Sequence, residues 1–163
     1  MLVPALSQLP ALARQSGAAT KKFFQRLKKS PPKDLDGRVH ELHEEVFSEI
    51  NCLDCANCCK TISPIFKNKD IDRIAKRLHL KPSLFVEKYL HRDEEGDHVL
   101  NSVPCPFLAE DNSCIVYEDR PEACRSYPHT QEKKFIRLAS ITMKNTGVCP
   151  AAYRIVERLK KEF

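Results

Sequence analysis

The sequence predicts a mainly α-helical, compact single domain with irregular cysteine-bearing loops and a small β-hairpin. Hydrophobic residues recur at helical spacing in several segments. The chain also carries eight cysteines, four of them within one short stretch. Aromatic residues make up 7% of the chain and tryptophan is absent, so the core is small and needs a further source of stability. Cysteine-bound metal supplies such stability in small domains, and we expect it here.

Composition and hydropathy point to a globular protein. Apolar residues make up 42% of the chain and charged residues 30%, with a mean hydropathy of −0.44. No apolar run approaches the roughly 18 residues that a membrane span needs. Met1 to Ala13 lacks the basic start of a secretory signal. We therefore expect a cytoplasmic protein without a membrane span, whose clustered thiols are ligands or redox groups rather than disulfides.

The first 33 residues are predicted to form a basic N-terminal appendage, and residues 34–163 the cysteine-cluster domain. Two short apolar stripes at helical spacing, joined weakly at Gly17, precede the helix-ending Ser30-Pro31-Pro32. The helix either docks on a protein partner or an acidic surface, or packs on its own domain, and we favour packing.

Positive charge is concentrated in the same appendage. The net charge is +5. Much of the excess comes from Lys21, Lys22, Arg26, Lys28, Lys29 and Lys33. A short basic stretch of this kind is usually a solvated face, so we do not expect specific nucleic-acid binding.

A helix over residues 36–50 should lead the chain into the first cysteines, because apolar residues recur there at helical spacing. His40 and His43 lie three residues apart on this helix, a spacing that can chelate metal. They stand among acidic residues on the side predicted to face solvent. We therefore do not expect them to be ligands.

The remaining segments predict short elements. Residues 68–90 should form two helices, with Asp70 near the start of the first and Pro82 opening the second. They resemble a helix-turn-helix, but no glycine marks the turn and we favour ordinary core packing over DNA binding. Val99-Leu100 should pair with residues 115–117 as a hairpin. Residues 134–143 are ambiguous between strand and helix, and Pro150 should begin a final helix.

The most informative segment is the C-x2-C-x2-C-C array of Cys52, Cys55, Cys58 and Cys59. A two-residue gap lets two sulfurs reach one ion at a bond length near 2.3 Å. Side chains of adjacent residues diverge, so Cys58 and Cys59 should not both join Cys52 and Cys55 on one tetrahedral ion. One of the pair then serves a second site, a bridging position or a reactive role.

Further thiols come from Cys105, Cys114, Cys124 and Cys149. Proline follows Cys105 and Cys149 and stiffens those loops. Cys149 also sits at the start of the predicted last helix, whose dipole favours a thiolate. Eight thiolates suit two four-sulfur sites, or one site with cysteines to spare. Spacing alone does not choose between Zn(II), iron and an iron–sulfur cluster.

Cations near the cysteines fit an anionic thiolate centre. Lys60 follows the first array, and Arg120 and Arg125 flank Cys124. We expect the two arginines to stabilise the centre from just outside the ligands, while Lys60 is equally well explained as a surface residue.

Four stretches of the chain together resemble a known family. These are C-x2-C-x2-C-C at 52–59, Cys105-Pro-Phe-Leu, Cys114-Ile-Val-Tyr117-Glu-Asp-Arg120-Pro121 and Cys124-Arg125-Ser-Tyr127-Pro128. They resemble the YkgJ-type cysteine cluster proteins, described as zinc- or iron-chelating domains, and related motifs occur in flagellin lysine N-methylases. The resemblance covers roughly residues 50–150 and implies metal or iron–sulfur binding in the bacterial cytoplasm. His129 stands where the family pattern usually has an apolar residue, and we expect it to be a surface residue rather than a ligand.

Three functions stay open at this point. The first is a metal-binding module with a structural, storage, sensing or delivery role. The second is an iron–sulfur enzyme in redox or group transfer, related to the methylases, although no glycine-rich loop for S-adenosylmethionine is visible. The third is a basic zinc protein that binds nucleic acid, which lacks regular finger spacing. We favour the first, and leave open whether the chain is an enzyme.

Overall fold

The computed structural model describes residues 4–163 and divides them into two compact units. The terminal unit comprises the described residues up to Asn51 together with Pro128–Phe163. The central unit comprises Cys52–Tyr127. The fold is mainly helical with one two-stranded antiparallel sheet, which confirms the predicted fold class. Within the described residues, no helix combines the length and the apolar character needed to cross a membrane.

Helices provide most of the regular structure in both units. The α-helices are α1 (Leu9–Lys29), α2 (Leu35–Phe47), α3 (Cys52–Cys55), α4 (Asn57–Thr61), α5 (Asn68–Arg77), α6 (Pro82–Tyr89), α7 (Glu122–Ser126), α8 (Ala139–Asn145) and α9 (Pro150–Glu162). Short 3-10 helices cover Tyr117–Asp119 and Phe135–Leu138, and the strands are β1 (Leu90–Arg92) and β2 (His98–Leu100).

Helix α1 runs without interruption through Gly17 and packs on its own unit. Phe23, Phe24 and Leu27 are buried in the core of the terminal unit, which also includes residues of α2, α8 and α9. The helix ends at Lys29, directly before the serine and two prolines that predicted its end. Its apolar side is therefore buried and its basic side exposed, as the packing interpretation predicted.

Helix α2 confirms the apolar periodicity predicted for residues 36–50. Val39, Leu42 and Val46 are fully buried. The predicted solvent position of His43 is wrong, because its side chain is half-buried. His43 Nδ1 lies 2.7 Å from Thr130 Oγ1, and its ring packs against Phe47 in a tilted arrangement with 4.3 Å between centroids. Burial accordingly lowers the pKa of His43.

The terminal unit also resolves the ambiguous segment at 134–143. Residues 135–138 form a 3-10 helix that continues into α8. Asp36 accepts hydrogen bonds from the backbone N–H groups of Lys134 (2.7 Å) and Phe135 (3.0 Å), which fixes the start of this segment. Helix α9 begins at Pro150 as predicted, because proline needs no N–H partner in a first helical turn.

In the central unit, α5 and α6 pack around a small aromatic core. Ile74 and Phe85 are fully buried, and the rings of Phe85 and Phe107 stack with centroids 6.0 Å apart. Pro82 opens α6 at its first turn, as predicted. Cys105 and Cys114 pack against this core at its edge. The aromatic cluster therefore supports two of the candidate ligands directly.

The predicted hairpin partner is wrong. Strand β2 pairs with β1, with Leu90 opposite Leu100, and residues 115–117 form a loop and the start of a 3-10 helix. The turn at 93–97 is short and Gly96 takes a φ of +85°, so the adjacent strands close over little chain. Local closure therefore replaces the longer-range pairing that the sequence favoured.

Asp70 joins two helices of the central unit. Its carboxylate is 3% exposed and accepts hydrogen bonds from the backbone N–H of Lys67 (3.0 Å) and of Glu122 (3.2 Å). Arg73 Nη2 donates to it as well, at 2.8 Å. Because Glu122 is the first residue of α7, Asp70 fixes the position of the helix that carries Cys124.

We predict that Asp70→Asn destabilises the protein by about 2–3 kcal/mol. The amide NH₂ of asparagine would face one of the two backbone N–H groups that the carboxylate now accepts from, and that buried donor would lose its acceptor. Asp72→Asn on the exposed side of the same helix is the control, expected to change stability by less than about 0.5 kcal/mol. Both are measured by chemical denaturation at matched metal content. Equal losses in the two variants would contradict this role for Asp70.

Candidate metal centre

Helices α3 and α4 form a tight double turn that holds the C-x2-C-x2-C-C array. The backbone N–H of Ala56 donates to the carbonyl of Cys52 (2.8 Å), and that of Lys60 donates to Ala56 (3.1 Å). Ala56 between the turns adopts a left-handed conformation with φ of +46°. A left-handed residue ends one helical turn and lets the chain change direction before the next, so four cysteines share one compact segment.

The prediction that the side chains of Cys58 and Cys59 diverge is wrong. The Sγ atoms of Cys58 and Cys59 lie 4.0 Å apart. Metal–sulfur bonds of about 2.3 Å in a tetrahedral site place sulfurs roughly 3.8 Å apart. The pair is therefore already spaced like two ligands of one ion. The physical reason is side-chain rotation, because staggered Cα–Cβ rotamers can turn neighbouring sulfurs toward each other even where the Cβ atoms separate.

Cysteines from later in the chain reach the same segment through backbone contacts. The N–H of Cys105 donates to the carbonyl of Cys59 at 2.8 Å. Cys114 forms a β-bridge with Leu108, three residues after Cys105. The side chain of Asn112 donates to the carbonyl of Asp54 in α3, at 3.4 Å. These contacts hold the 105–114 loop beside the C-x2-C-x2-C-C array.

The electrostatics of the thiols centre on Cys59. A hydrogen bond from Cys58 lowers the pKa of Cys59 to about 7, and Lys60 adds to the lowering. Burial, with a smaller contribution from the Cys59 thiolate, raises the pKa of Cys105 to about 11 and that of Cys124 to about 12. Burial followed by neighbouring thiolates raises the pKa values of Cys52 and Cys114 in the same direction.

These shifts show that the thiols lie close enough to oppose one another's ionisation. Several thiolates in a partly buried space repel each other, and a cation among them removes the repulsion. Sulfur donors suit zinc, iron and iron–sulfur clusters rather than magnesium or calcium. The donor chemistry therefore fits the predicted metals. In residues 4–163, no three thiol, imidazole or carboxylate groups stand as a ready-made ligand set, so ligation requires the side chains to rotate.

The two arginines predicted to support the centre have different surroundings. The charge of Arg120 lowers the pKa values of Cys52, Cys114 and Cys124, against the larger effect of burial. Its guanidinium stacks over the Tyr117 ring at 3.8 Å. Arg125 instead donates to the backbone carbonyls of Glu118 and Arg120 and so braces the turn before α7.

The structure places the eight predicted ligands in two groups. Cys52, Cys55, Cys58, Cys59, Cys105, Cys114 and Cys124 lie in the central unit, whereas Cys149 lies in the terminal unit. Cys149 precedes α9 as its N-cap, and its sulfur accepts a hydrogen bond from the N–H of Ala152 at 3.4 Å. The helix-end position predicted for this thiol is therefore confirmed. His129 also lies in the terminal unit, and burial lowers its pKa.

Sequence reasoning missed the residues that position the ligands. It noted Asp70 only as a helix start, although this side chain fixes the helix of Cys124. An acidic residue at the first turn of a strongly amphipathic helix was the available signal, but it fits a solvated cap equally well. Asn112, which links the 105–114 loop to α3, gave no signal in the sequence.

Comparison with known proteins gives one match. No curated protein and no solved structure matches the chain. A family model named CxxCxxCC, with the description "Putative zinc- or iron-chelating domain", matches residues 51–147, which is more than half of the chain. The matched region contains all seven cysteines of the central unit. The chain therefore belongs to the CxxCxxCC family of zinc- or iron-chelating domains.

Proposed function

We propose that this protein is a metal-binding module whose central unit chelates zinc or iron through cysteine thiolates. The observation that carries the proposal is the arrangement around Cys59. Its sulfur lies 4.0 Å from that of Cys58, and its carbonyl accepts a hydrogen bond of 2.8 Å from the N–H of Cys105, so cysteines from separate parts of the chain meet at one segment. Sites assembled from distant cysteines are typical of metal centres, because a cation offsets the cost of bringing thiolates together.

The proposed ligands are drawn from the seven cysteines of the central unit. Cys58 and Cys59 are the best-supported ligands, because the distance between their sulfurs is that expected for two ligands of one ion. One tetrahedral ion takes four thiolates, and so does a four-iron cluster, so seven cysteines provide enough donors for either. Ligation by Cys149 stays a prediction from the sequence; its sulfur accepts a hydrogen bond from the N–H of Ala152 in the first turn of α9.

Arg120 has a supporting role in this proposal. A centre with four thiolates on a divalent ion is anionic, and the Arg120 guanidinium supplies a nearby positive charge. Arg125 holds the backbone of the turn that bears Arg120. We further propose that the protein works in the reducing cytoplasm, where clustered thiols serve as metal ligands rather than as disulfides.

We predict that Cys59→Ser removes at least about half of the bound metal and lowers the melting temperature, because metal-binding energy contributes to folding. The measurement is elemental analysis with thermal unfolding on anaerobically purified protein. Ser113→Ala, beside Cys114, is the control and should leave both unchanged. Full metal content and an unchanged melting temperature in Cys59→Ser would remove Cys59 from the ligand set.

The same measurement on Cys149→Ser tests the eighth ligand separately. A loss of metal comparable to that of Cys59→Ser supports ligation by the terminal unit. Unchanged metal content would confine the centre to the central unit. The visible spectrum of the wild-type protein then identifies the metal: a colourless protein with stoichiometric zinc supports a zinc site, and a brown protein with iron and sulfide supports a cluster.

We predict that zinc binds the metal-free protein more tightly as the pH rises from 6.5 to 7.5. Burial keeps Cys105 and Cys124 protonated in this range, with pKa values near 11 and 12, so the metal must displace their protons. Each displaced proton raises the affinity about tenfold per pH unit. Competition with a chromophoric chelator, calibrated alone at each pH, measures the change. An affinity independent of pH would mean that the metal displaces no thiol proton.

A further inference from the structure

A polar cleft of about 430 Å³ lies in the central unit at the carboxyl end of α5. The residues that line it are charged or polar, and they are Arg73, Lys76, Arg77, His79 and Asp119. Three permanent positive charges therefore line the cleft with one carboxylate, and Arg73 is also paired with buried Asp70 and lies 4.0 Å from Asp119. The excess of cations favours an anion as the ligand.

Arg73 is fixed in place before any ligand enters. Its Nε donates to the carbonyl of Asp119 (3.1 Å), and its Nη2 donates to the carbonyl of Arg120 (2.9 Å) and to buried Asp70 (2.8 Å). Its Nη1 makes only a long contact of 3.5 Å with the carbonyl of Lys69. This nitrogen therefore has donor capacity left for a ligand, on a side chain that pays little ordering entropy to bind.

Lys76 and Arg77 supply the exposed cations of the cleft. Both side chains are exposed, and within residues 4–163 the structure gives neither a hydrogen bond nor an ion pair. Cations in the last turn of a helix also stabilise the helix dipole, which by itself explains two basic residues there. It does not explain why these two cations line the same cleft as Arg73, whose Nη1 has donor capacity left.

His79 completes the lining through the turn that ends α5. Its φ is +55°, and the N–H of Leu80 then closes back on the carbonyl of Ala75 at 2.9 Å. The imidazole is exposed at the cleft, where it can donate or accept a hydrogen bond. Since glycine adopts a positive φ readily, His79→Gly removes the ring and keeps this turn.

We propose that the cleft binds the phosphate group of a small phosphorylated molecule. Arginine and lysine together recognise a phosphate dianion, arginine through its planar donors and lysine as a point charge. The cleft is several times larger than one phosphate group, so the polar body of the ligand fits beside it. Asp119 accepts a hydrogen bond from a hydroxyl or amine of that body.

The test is titration of the full-length, metal-loaded protein with inorganic phosphate at constant ionic strength. The NMR resonance of the His79 imidazole, identified by its absence from His79→Gly, reports occupancy of the cleft. We expect saturable binding, with a dissociation constant at least about tenfold higher in the double variant Lys76→Gln, Arg77→Gln. Arg73 is left intact because it holds the turn at 119–120.

The matched control is the double variant Lys81→Gln, Lys88→Gln, which removes the same charge from exposed positions outside the cleft. It should bind phosphate within about twofold of the wild-type value. Metal content is measured in each variant, so that failure of this cleft is distinguished from failure of the metal centre. Two further arms use succinate and a short DNA duplex in place of phosphate.

Four outcomes would overturn the proposal. The first is that phosphate does not bind saturably, and the second is that both double variants weaken phosphate binding equally. The third is that succinate binds more tightly than phosphate. The fourth is that the DNA duplex binds the wild-type protein but not the cleft variant, while phosphate leaves the His79 resonance unchanged. The last outcome would instead identify the end of α5 as a nucleic-acid contact. Preserved binding in the control and a loss in the cleft variant support the proposal.

Discussion

The central unit depends on backbone and side-chain contacts that hold several partly buried thiols close together. Burial and the Cys59 thiolate raise the pKa values of four other cysteines, so the group resists ionisation as long as no cation compensates it. Bringing these side chains together is unfavourable in free energy, and contacts elsewhere in the unit offset it. These contacts are a backbone hydrogen bond between Cys59 and Cys105, a β-bridge at Cys114, and the hydrogen bond from the first residue of the Cys124 helix to the Asp70 carboxylate.

Metal chelation and folding are coupled in such an arrangement. The core of the central unit is built around Phe85 and Phe107, and two candidate ligands pack at its edge. A core of this size gives modest stability, so under the proposed function we expect metal binding to contribute a substantial part of the free energy of folding. The terminal unit has a separate core of α1, α2, α8 and α9 residues. This core includes none of the seven cysteines of the central unit.

Periodicity and motif spacing predicted a large part of this structure. The helices at 36–50, 68–90 and after Pro150 appeared where apolar residues recur every three or four positions. The cysteine motifs identified the family that the later comparison confirmed. Both signals are local, and local signals are what a single sequence carries reliably.

The errors came from long-range or side-chain detail. The partner of β2 was wrong because a short turn at Gly96 closes more readily than a loop to residue 115. The spacing of the Cys58 and Cys59 sulfurs depends on side-chain rotation, which backbone periodicity does not fix. The three-way role of Asp70 requires knowing that Glu122 lies beside Lys67, and no pattern in the sequence links them.

X-ray absorption at the zinc and iron edges of anaerobically purified protein tests the central claim most directly. The account predicts bound zinc or iron whose nearest neighbours are sulfur atoms, at about 2.3 Å for zinc. A nearest shell of nitrogen and oxygen at about 2.0–2.1 Å, or a protein without either metal, would contradict it.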